Sequence, residues 1–181
     1  MAKTSVTKEL ERAISVATTK IGTFGCCEVT IGPNGDERVD YMTVDAKGIW
    51  RCFEIKCSVS DFRSKAKKTF VGHYNYFVLT KELYEKVKEE IPKHIGVYVG
   101  GKYIRCVKKA RKQSLKVENE VLTMSMIRSL SRDANKLYIS GNDEAINKFK
   151  RTISQQTEEI RRLKNDLYNA NLELTFTRRH R

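Results

Sequence analysis

The sequence lacks the features that mark several common classes of enzyme and of secreted protein. It has no Gly-rich phosphate loop and no GxSxG motif, and its three histidines lie far apart, at positions 73, 94 and 180. Nucleotide-binding P-loops, serine hydrolase triads and His-rich metal sites are therefore not indicated. It also has neither a charged-then-apolar signal region nor an apolar run of about eighteen residues. We expect a cytoplasmic protein without a membrane partner.

A cysteine pattern typical of a zinc site is absent as well. The five cysteines stand at positions 26, 27, 52, 57 and 106, without the CxxC spacing of a zinc site. An odd number with this spacing is typical of reduced thiols.

Acidic residues are outnumbered by basic ones. The 22 Asp and Glu stand against 35 Lys and Arg, which leaves a formal charge of +13. The excess is concentrated between residues 61 and 116, chiefly in RSKAKK and KKARKQSLK. Such a surface favours a polyanionic partner such as nucleic acid over acidic small molecules, and the charge alone would also fit a membrane surface.

Hydrophobic periodicity predicts an α/β domain over residues 1–116. An amphipathic helix comes first, followed by a meander of three strands with a Gly-Pro-Asn-Gly turn between the first two. The predicted elements are a helix over 4–21, strands within 26–45, a strand over 49–57, a basic helix over 62–69, a strand over 74–80, a charged helix over 81–91 and a hairpin around Gly100 and Gly101.

Two helical segments are predicted beyond this domain. A connecting segment covers 117–140, a coiled-coil helix covers 141–175, and a basic tail covers 176–181. The heptad positions of the long helix are Ile146, Phe149, Ile153, Gln156, Ile160, Leu163, Leu167, Ala170 and Leu174. We expect a homodimer through residues 146–174, with Glu159 facing Lys164 of a parallel partner. A helix that packs back on the domain is the alternative.

The stretch WRCFEIKCSVSDF, residues 50–62, places charged residues inside an otherwise apolar strand. Side-chain alternation puts Glu54 and Lys56 on the face of Trp50, with Ile55 on the other face. Burying a carboxylate and an ammonium is costly unless something compensates. One explanation is a salt bridge between Glu54 and Lys56 at the sheet edge.

A metal site is the other explanation. Asp40 on the preceding antiparallel strand would approach Glu54, and two carboxylates held together require a cation. Mg²⁺ is the natural candidate, with Mn²⁺ also possible. Lys56 could then orient a water and offset charge on a phosphate. Glu9 lies nearest the core boundary among the acidic residues of the first helix, although a solvated glutamate fits that position as well.

This order of residues resembles the PD-(D/E)xK nuclease superfamily. A helix with a glutamate, a strand with Asp40 and the EIK at 54–56 carry the resemblance, and Val39 stands where the superfamily often has proline. The segment EIKCSVSDFRSKAKK, followed by GHYNYFVLT, is similar to the MmcB-like DNA-repair group. The resemblance covers roughly residues 5–100.

The resemblance implies a restriction-endonuclease-like core, in which helices flank a mixed sheet, here with a C-terminal coiled-coil extension. It implies metal ligation by Asp40, Glu54 and the carbonyl of Ile55, with Lys56 as the catalytic lysine and Glu9 as the helix carboxylate. The basic residues expected to hold the DNA backbone on either side of the site are Arg63, Lys65, Lys67, Lys68, Lys108, Lys109, Arg111 and Lys112.

We therefore expect a metal-dependent DNA endonuclease, acting in DNA repair, recombination or phage DNA metabolism. Two alternatives stay open at this point. One is a catalytically inactive DNA-binding adaptor with the nuclease fold, and the other is a coiled-coil assembly protein.

Overall fold

The computed structural model describes residues 4–32, 35, 37–64 and 68–179. Its helices are α1 (Ser5–Thr18), α2 (Val59–Arg63), α3 (Lys81–Val87), α4 (Asn119–Ser140) and α5 (Asp143–Arg179), with one 3-10 turn at Lys88–Glu90. Its strands are β1 (Thr23–Ile31), β2 (Glu37–Asp45), β3 (Trp50–Lys56), β4 (Tyr74–Leu79), β5 (Gly96–Gly100) and β6 (Ile104–Lys108).

The six strands form one mixed sheet in chain order, β1-β2-β3-β4-β5-β6. β1, β2 and β3 form an antiparallel meander, β3, β4 and β5 run parallel, and β6 returns antiparallel to β5. Because β3, β4 and β5 are parallel, their carboxyl ends share one edge of the sheet and their amino ends share the opposite edge. The end of β3, with Lys56, lies at the first of these edges.

Helix α1 covers one face of the sheet. Its N-cap is Thr4, whose side chain accepts a hydrogen bond from the Thr7 N–H, and its apolar stripe buries Leu10 and Ile14 against Phe53. The Phe53 ring lies 5.3 Å from that of Tyr76 and 5.5 Å from that of Tyr41, measured between centroids. This face is therefore closed by an aromatic layer under one amphipathic helix.

The other face is covered by the remaining helices of the domain. The first half of α4 packs Leu122 and Met126 against Trp50 and Cys52. Helices α2 and α3 pack against Phe77 further along the sheet. The alternation predicted for β3 is thus confirmed, since Trp50 and Cys52 face one side and Phe53 and Ile55 the other.

The predicted α/β class is confirmed, with a mixed sheet flanked by helices and a C-terminal helical segment. The predicted basic helix over 62–69 is wrong. α2 ends at Arg63, because the backbone of Ser64 leaves the helical region with a ψ of 149°. Residues 68–70 are not helical either.

The chain divides into two compact units, Met1–Ser131 and Arg132–Arg181. The first half of α4 belongs with the sheet, and its second half belongs with α5. α5 is a single helix of 37 residues. Among the helices described, not one has the length and apolarity needed to cross a membrane.

Candidate functional site

Strands β2 and β3 separate at Asp40 and Glu54. Their pairing ends with Tyr41 opposite Phe53, whereas β3 stays paired to β4 as far as Lys56. Where the strands separate, the Asp40 side chain takes the place of a backbone carbonyl of β2, because its Oδ2 accepts a hydrogen bond from the Ile55 N–H at 2.8 Å. A carboxylate is thereby fixed beside the end of β3 by a charge-assisted hydrogen bond.

Glu54 is almost completely buried, with 3% of its surface exposed. Its Oε1 accepts the backbone N–H of Thr69 at 3.2 Å, so the segment after α2 covers it. Burial, and then the negative charge of Asp40, raise the pKa of Glu54 to about 7. The structure therefore brings Asp40 and Glu54 together, as their positions on adjacent strands predict.

Lys56 connects this buried carboxylate to the surface. Its Nζ lies 3.8 Å from Glu54 Oε2 and 3.5 Å from Asp61 Oδ1. The Lys56 side chain is 12% exposed and the Asp61 side chain 47% exposed. Asp61 is placed by the start of α2, where Ser58 caps the helix and accepts the Asp61 N–H. The Lys56 ammonium thus lies between two carboxylates, that of Glu54 in the core and that of Asp61 in solvent.

The donor set of this site suits a hard divalent cation. Asp40 and Glu54 supply carboxylate oxygens, and Asp40 Oδ1 accepts no hydrogen bond from the described residues. Within the described part of the chain, no three His, Cys, Asp or Glu side chains come together as a metal cluster. Mg²⁺ does not need such a cluster, because it keeps several waters and is commonly held by one or two carboxylates.

Glu9 does not join this pair. It lies on α1, which packs on the Phe53 face of the sheet, whereas Glu54 and Lys56 share the face of Trp50 and Cys52. Its Oε1 lies beside Gly101 in the turn after β5, where an added Cβ would come within 3.1 Å of it. There it lines a groove of about 750 Å³ between α1 and the β5–β6 turn. Within the described part of the chain, Glu9 makes no ion pair or hydrogen bond to Asp40, Glu54 or Lys56, and its role as the helix carboxylate stays a prediction.

Of the basic residues predicted near the site, Lys68 is placed beside it. It precedes Thr69, and its positive charge lowers the pKa of Glu54, although burial and Asp40 outweigh this effect. Arg63 instead forms a two-pronged ion pair with Glu90 at the surface. Lys65 and Lys67 lie outside the described residues.

The second basic segment, 108–116, lies at the opposite edge of the sheet. Arg111 N–H bonds to the His94 carbonyl and Gln113 N–H bonds to the His73 carbonyl, just before β5 and β4 begin. Lys108 donates to the carbonyls of Ile91 and Pro92. The structure thus places Lys108, Lys109, Arg111 and Lys112 toward the edge opposite to Lys56, and their contact with DNA stays a prediction.

A solved structure has a similar fold. It is that of a protein of unknown function from Silicibacter pomeroyi, with a TM-score of 0.62 and 20% sequence identity, covering 79% of this chain and 96% of that chain. No family model and no curated protein matches the sequence. At this identity the similarity concerns the fold of the chain alone.

Two neighbours of the site have structural rather than chemical contacts. The Trp50 indole N–H donates to Oδ1 of Asn119, the first residue of α4, at 2.8 Å. His73 Nδ1 accepts a hydrogen bond from the backbone N–H of Trp50, so the proton of the neutral imidazole is on Nε2. The pKa of His73 is lowered, mainly by burial of the side chain. Both side chains hold β3 in place.

Sequence reasoning missed the contribution of Thr69. A backbone N–H carries no side-chain signature, and Thr69 ends a run of lysines that reads as surface. Asp61, in contrast, is predictable from the sequence as a residue at the start of a helix near the site, because it is the third residue after the Ser58 cap.

Proposed function

We propose that this protein is a metal-dependent DNA nuclease with a restriction-endonuclease-like core. The observation that supports the proposal is the buried Glu54 carboxylate beside Asp40, whose charge helps to raise the pKa of Glu54 to about 7. A divalent cation with affinity for oxygen would be attracted by these two neighbouring carboxylates.

The residues present fit Mg²⁺ on the chemistry of their donor atoms. Asp40 is held by the Ile55 N–H and Glu54 by the Thr69 N–H, so both carboxylates are oriented before any ligand binds. The Ile55 carbonyl stays a predicted third ligand. Mg²⁺ in this position would polarise a phosphate oxygen and promote attack by water.

Lys56 has the position required of the catalytic lysine. It follows Glu54 on the same strand face and is held by both Glu54 and Asp61. Its ammonium would orient the attacking water and stabilise the negative charge that develops on the phosphate. Asp61 would keep that ammonium at the mouth of the site.

DNA is the substrate that the surrounding charge favours. The net charge of +13 attracts the phosphate backbone without regard to base sequence. Lys68 also lies near Glu54 and would contact the backbone next to the scissile phosphate.

Cleavage of labelled DNA by the full chain tests the proposal. Duplex, nicked, single-stranded and four-way-junction DNA would be incubated with Mg²⁺ or Mn²⁺. We expect metal-dependent cleavage that falls at least about a hundredfold in Lys56→Met, on the scale of a lost proton-transfer group, and is also lost in Asp40→Asn.

Asp45→Asn is the matched control on the same strand. Asp45 closes the turn after β2, accepts the N–H groups of Lys47 and Ile49, and pairs with Arg51. This variant should cut like the wild type, because an asparagine keeps the turn. Binding of DNA without any cleavage, under either metal, would contradict the nuclease proposal.

A DNA-binding protein without catalysis is the second candidate. The observation that favours it is the position of Lys56 between Glu54 and Asp61, since an ion pair alone can explain the strand charges. Steep loss of DNA affinity with salt, together with unchanged affinity in Asp40→Asn and no cleavage, would support this candidate. The absence of tight binding even at low salt would instead favour the assembly protein.

A further inference from the structure

Helix α5 exposes a continuous apolar stripe. Phe149, Ile153, Ile160, Leu163 and Leu167 recur at the three-four spacing of a heptad, and each is more than half exposed. Polar and charged residues occupy most of the rest of the helix surface. A narrow apolar stripe of this kind on a helix of 37 residues matches the contact surface of another helix.

We infer that α5 pairs with α5 of a second copy of this chain as a parallel two-stranded coiled coil over residues 146–174. The inference does not depend on the proposed nuclease activity. Isoleucine at three a positions (146, 153 and 160) with Leu163 at d favours two strands.

The charges beside the stripe favour the parallel orientation. Glu159 and Asp166 occupy g positions, whereas Lys150 and Lys164 occupy e positions. In a parallel pair, g residues face e residues, so Glu159 meets Lys164 of the second copy. In an antiparallel pair, acidic g residues face each other and lysines face each other. Like charges would then oppose association.

Gln156 fixes the register. It occupies a d position inside the stripe, where a polar side chain needs a partner for its amide. Only in a parallel, in-register pair does Gln156 lie opposite Gln156 of the second copy. The two amides then hydrogen-bond to each other, as single polar core residues do in other coiled coils.

A notch at the start of the stripe also fits the second copy. It has a volume of about 430 Å³ and is lined by Ile139 and Ser140 at the end of α4 and by Ile146, Phe149 and Ile153 of α5. In the parallel pair, Phe149 of the second copy lies at the same level. Its ring would fill this apolar notch.

Sedimentation of the full chain over a range of concentrations tests the pairing. We expect a dimer whose dissociation constant rises at least about a hundredfold in Leu163→Ser, because both copies lose a buried leucine. Tyr168→Ser is the matched control, since Tyr168 is similarly exposed but lies off the stripe at a b position. It should leave the dissociation constant within about a factor of two.

Cysteine cross-linking tests the orientation. Phe149→Cys and Leu167→Cys would each be placed in a Cys106→Ser chain, because Cys106 is the exposed thiol among the described residues. In a parallel, in-register dimer, both variants cross-link to themselves on mild oxidation, and the Cys106→Ser parent does not. Cross-linking at neither position, or at only one, would overturn the inference.

Leu137→Ser tests a competing surface. Leu137 is exposed on α4, so it is the natural site for a dimer made by that helix. The inferred coil predicts an unchanged dissociation constant in this variant. A dimer lost in Leu137→Ser but kept in Leu163→Ser would overturn the inference, as would a wild-type chain that stays monomeric throughout. The fluorescence of Trp50 confirms that each variant keeps its folded sheet unit.

Discussion

The end of β3 and the surface of α5 each hold side chains in an unfavourable environment, but the side chains are of opposite kinds. At the end of β3 a carboxylate is buried, with Glu54 only 3% exposed. On α5 large apolar side chains are in solvent, with Leu163 60% exposed. Each placement raises the free energy of the isolated folded chain, the first through lost hydration of charge and the second through exposed apolar surface.

The difference indicates which kind of ligand would stabilise each region. A buried carboxylate beside a second one is stabilised by a cation, so the end of β3 is suited to chemistry on a charged substrate. An exposed apolar stripe is stabilised by a matching surface, so α5 is suited to association with another chain. The variants below test whether the two regions are as independent as this comparison implies.

Phe53→Ala and Phe149→Ala should differ most in their effect on the free energy of unfolding. Phe53 is fully buried within the aromatic layer under α1, and its truncation should lower the free energy of unfolding by about 3–5 kcal/mol. Phe149 lies on the exposed stripe, and its truncation should leave the sheet unit unchanged within about 0.5 kcal/mol. Urea unfolding followed by Trp50, the one tryptophan of the chain, measures both. Equal losses would show that α5 contributes to the stability of the sheet.

Glu54→Gln tests the buried charge through pH. The folded pKa of about 7 lies above the ordinary glutamate pKa of 4.5, so folding favours the protonated carboxyl. This stabilisation is complete below about pH 4.5 and is lost as the pH rises through 7. The glutamine variant should therefore match the wild type near pH 4.5 and exceed it by about 3 kcal/mol above pH 8.

Repeating this comparison of the two chains in Mg²⁺ tests whether the carboxylate pair binds a cation. A cation held by Asp40 and Glu54 would stabilise the ionised wild type, so the difference at pH 8 should narrow in Mg²⁺. It should not narrow when both chains also carry Asp40→Asn. A difference that does not change with pH would contradict the raised pKa of Glu54.

Asn119→Ala tests how α4 is attached to the sheet. The Trp50 indole N–H would lose its acceptor, which should cost about 1–2 kcal/mol and shift the Trp50 emission. Asn119→Asp keeps an oxygen in the same place and is expected to restore most of the loss. Failure of this rescue would attribute the effect to the start of the helix instead of to the indole.

Lys68→Gln and Lys112→Gln provide the smallest contrast. Lys68 lies beside Glu54, whereas Lys112 lies in the segment at the other sheet edge. If DNA binds at the end of β3, Lys68→Gln should lower the slope of log affinity against log salt by about 1, and Lys112→Gln should leave it unchanged. Equal changes would place the DNA across both edges.

Much of the fold could be predicted because it is encoded locally. The alternation in β3, the turn glycines and the caps at Thr4 and Ser58 each act within a few residues. The proximity of Asp40 and Glu54 was predictable for the same reason, since a short turn joins their strands. Local pattern is then enough to align two carboxylates.

The features that the sequence leaves open concern contacts between distant parts of the chain. The periodicity of α1 predicts which of its sides is buried but not which face of the sheet it covers, so it does not show whether Glu9 reaches the carboxylate pair. Segment 108–116 is placed by backbone bonds to His94 and His73, which leave no pattern in the sequence. The hydrogen bond from the Thr69 N–H to Glu54 likewise joins residues fifteen positions apart and leaves no pattern in the sequence.

The separation of β2 from β3 gives the molecule a natural spectroscopic probe. The Ile55 amide is held by an ionisable side chain instead of by a strand carbonyl. Its proton resonance and its rate of exchange with solvent should therefore follow the charge state and the ligands of Asp40, while neighbouring amides of β3 stay silent. A single peak in a nitrogen–proton correlation spectrum would then report on the site of an otherwise unchanged chain.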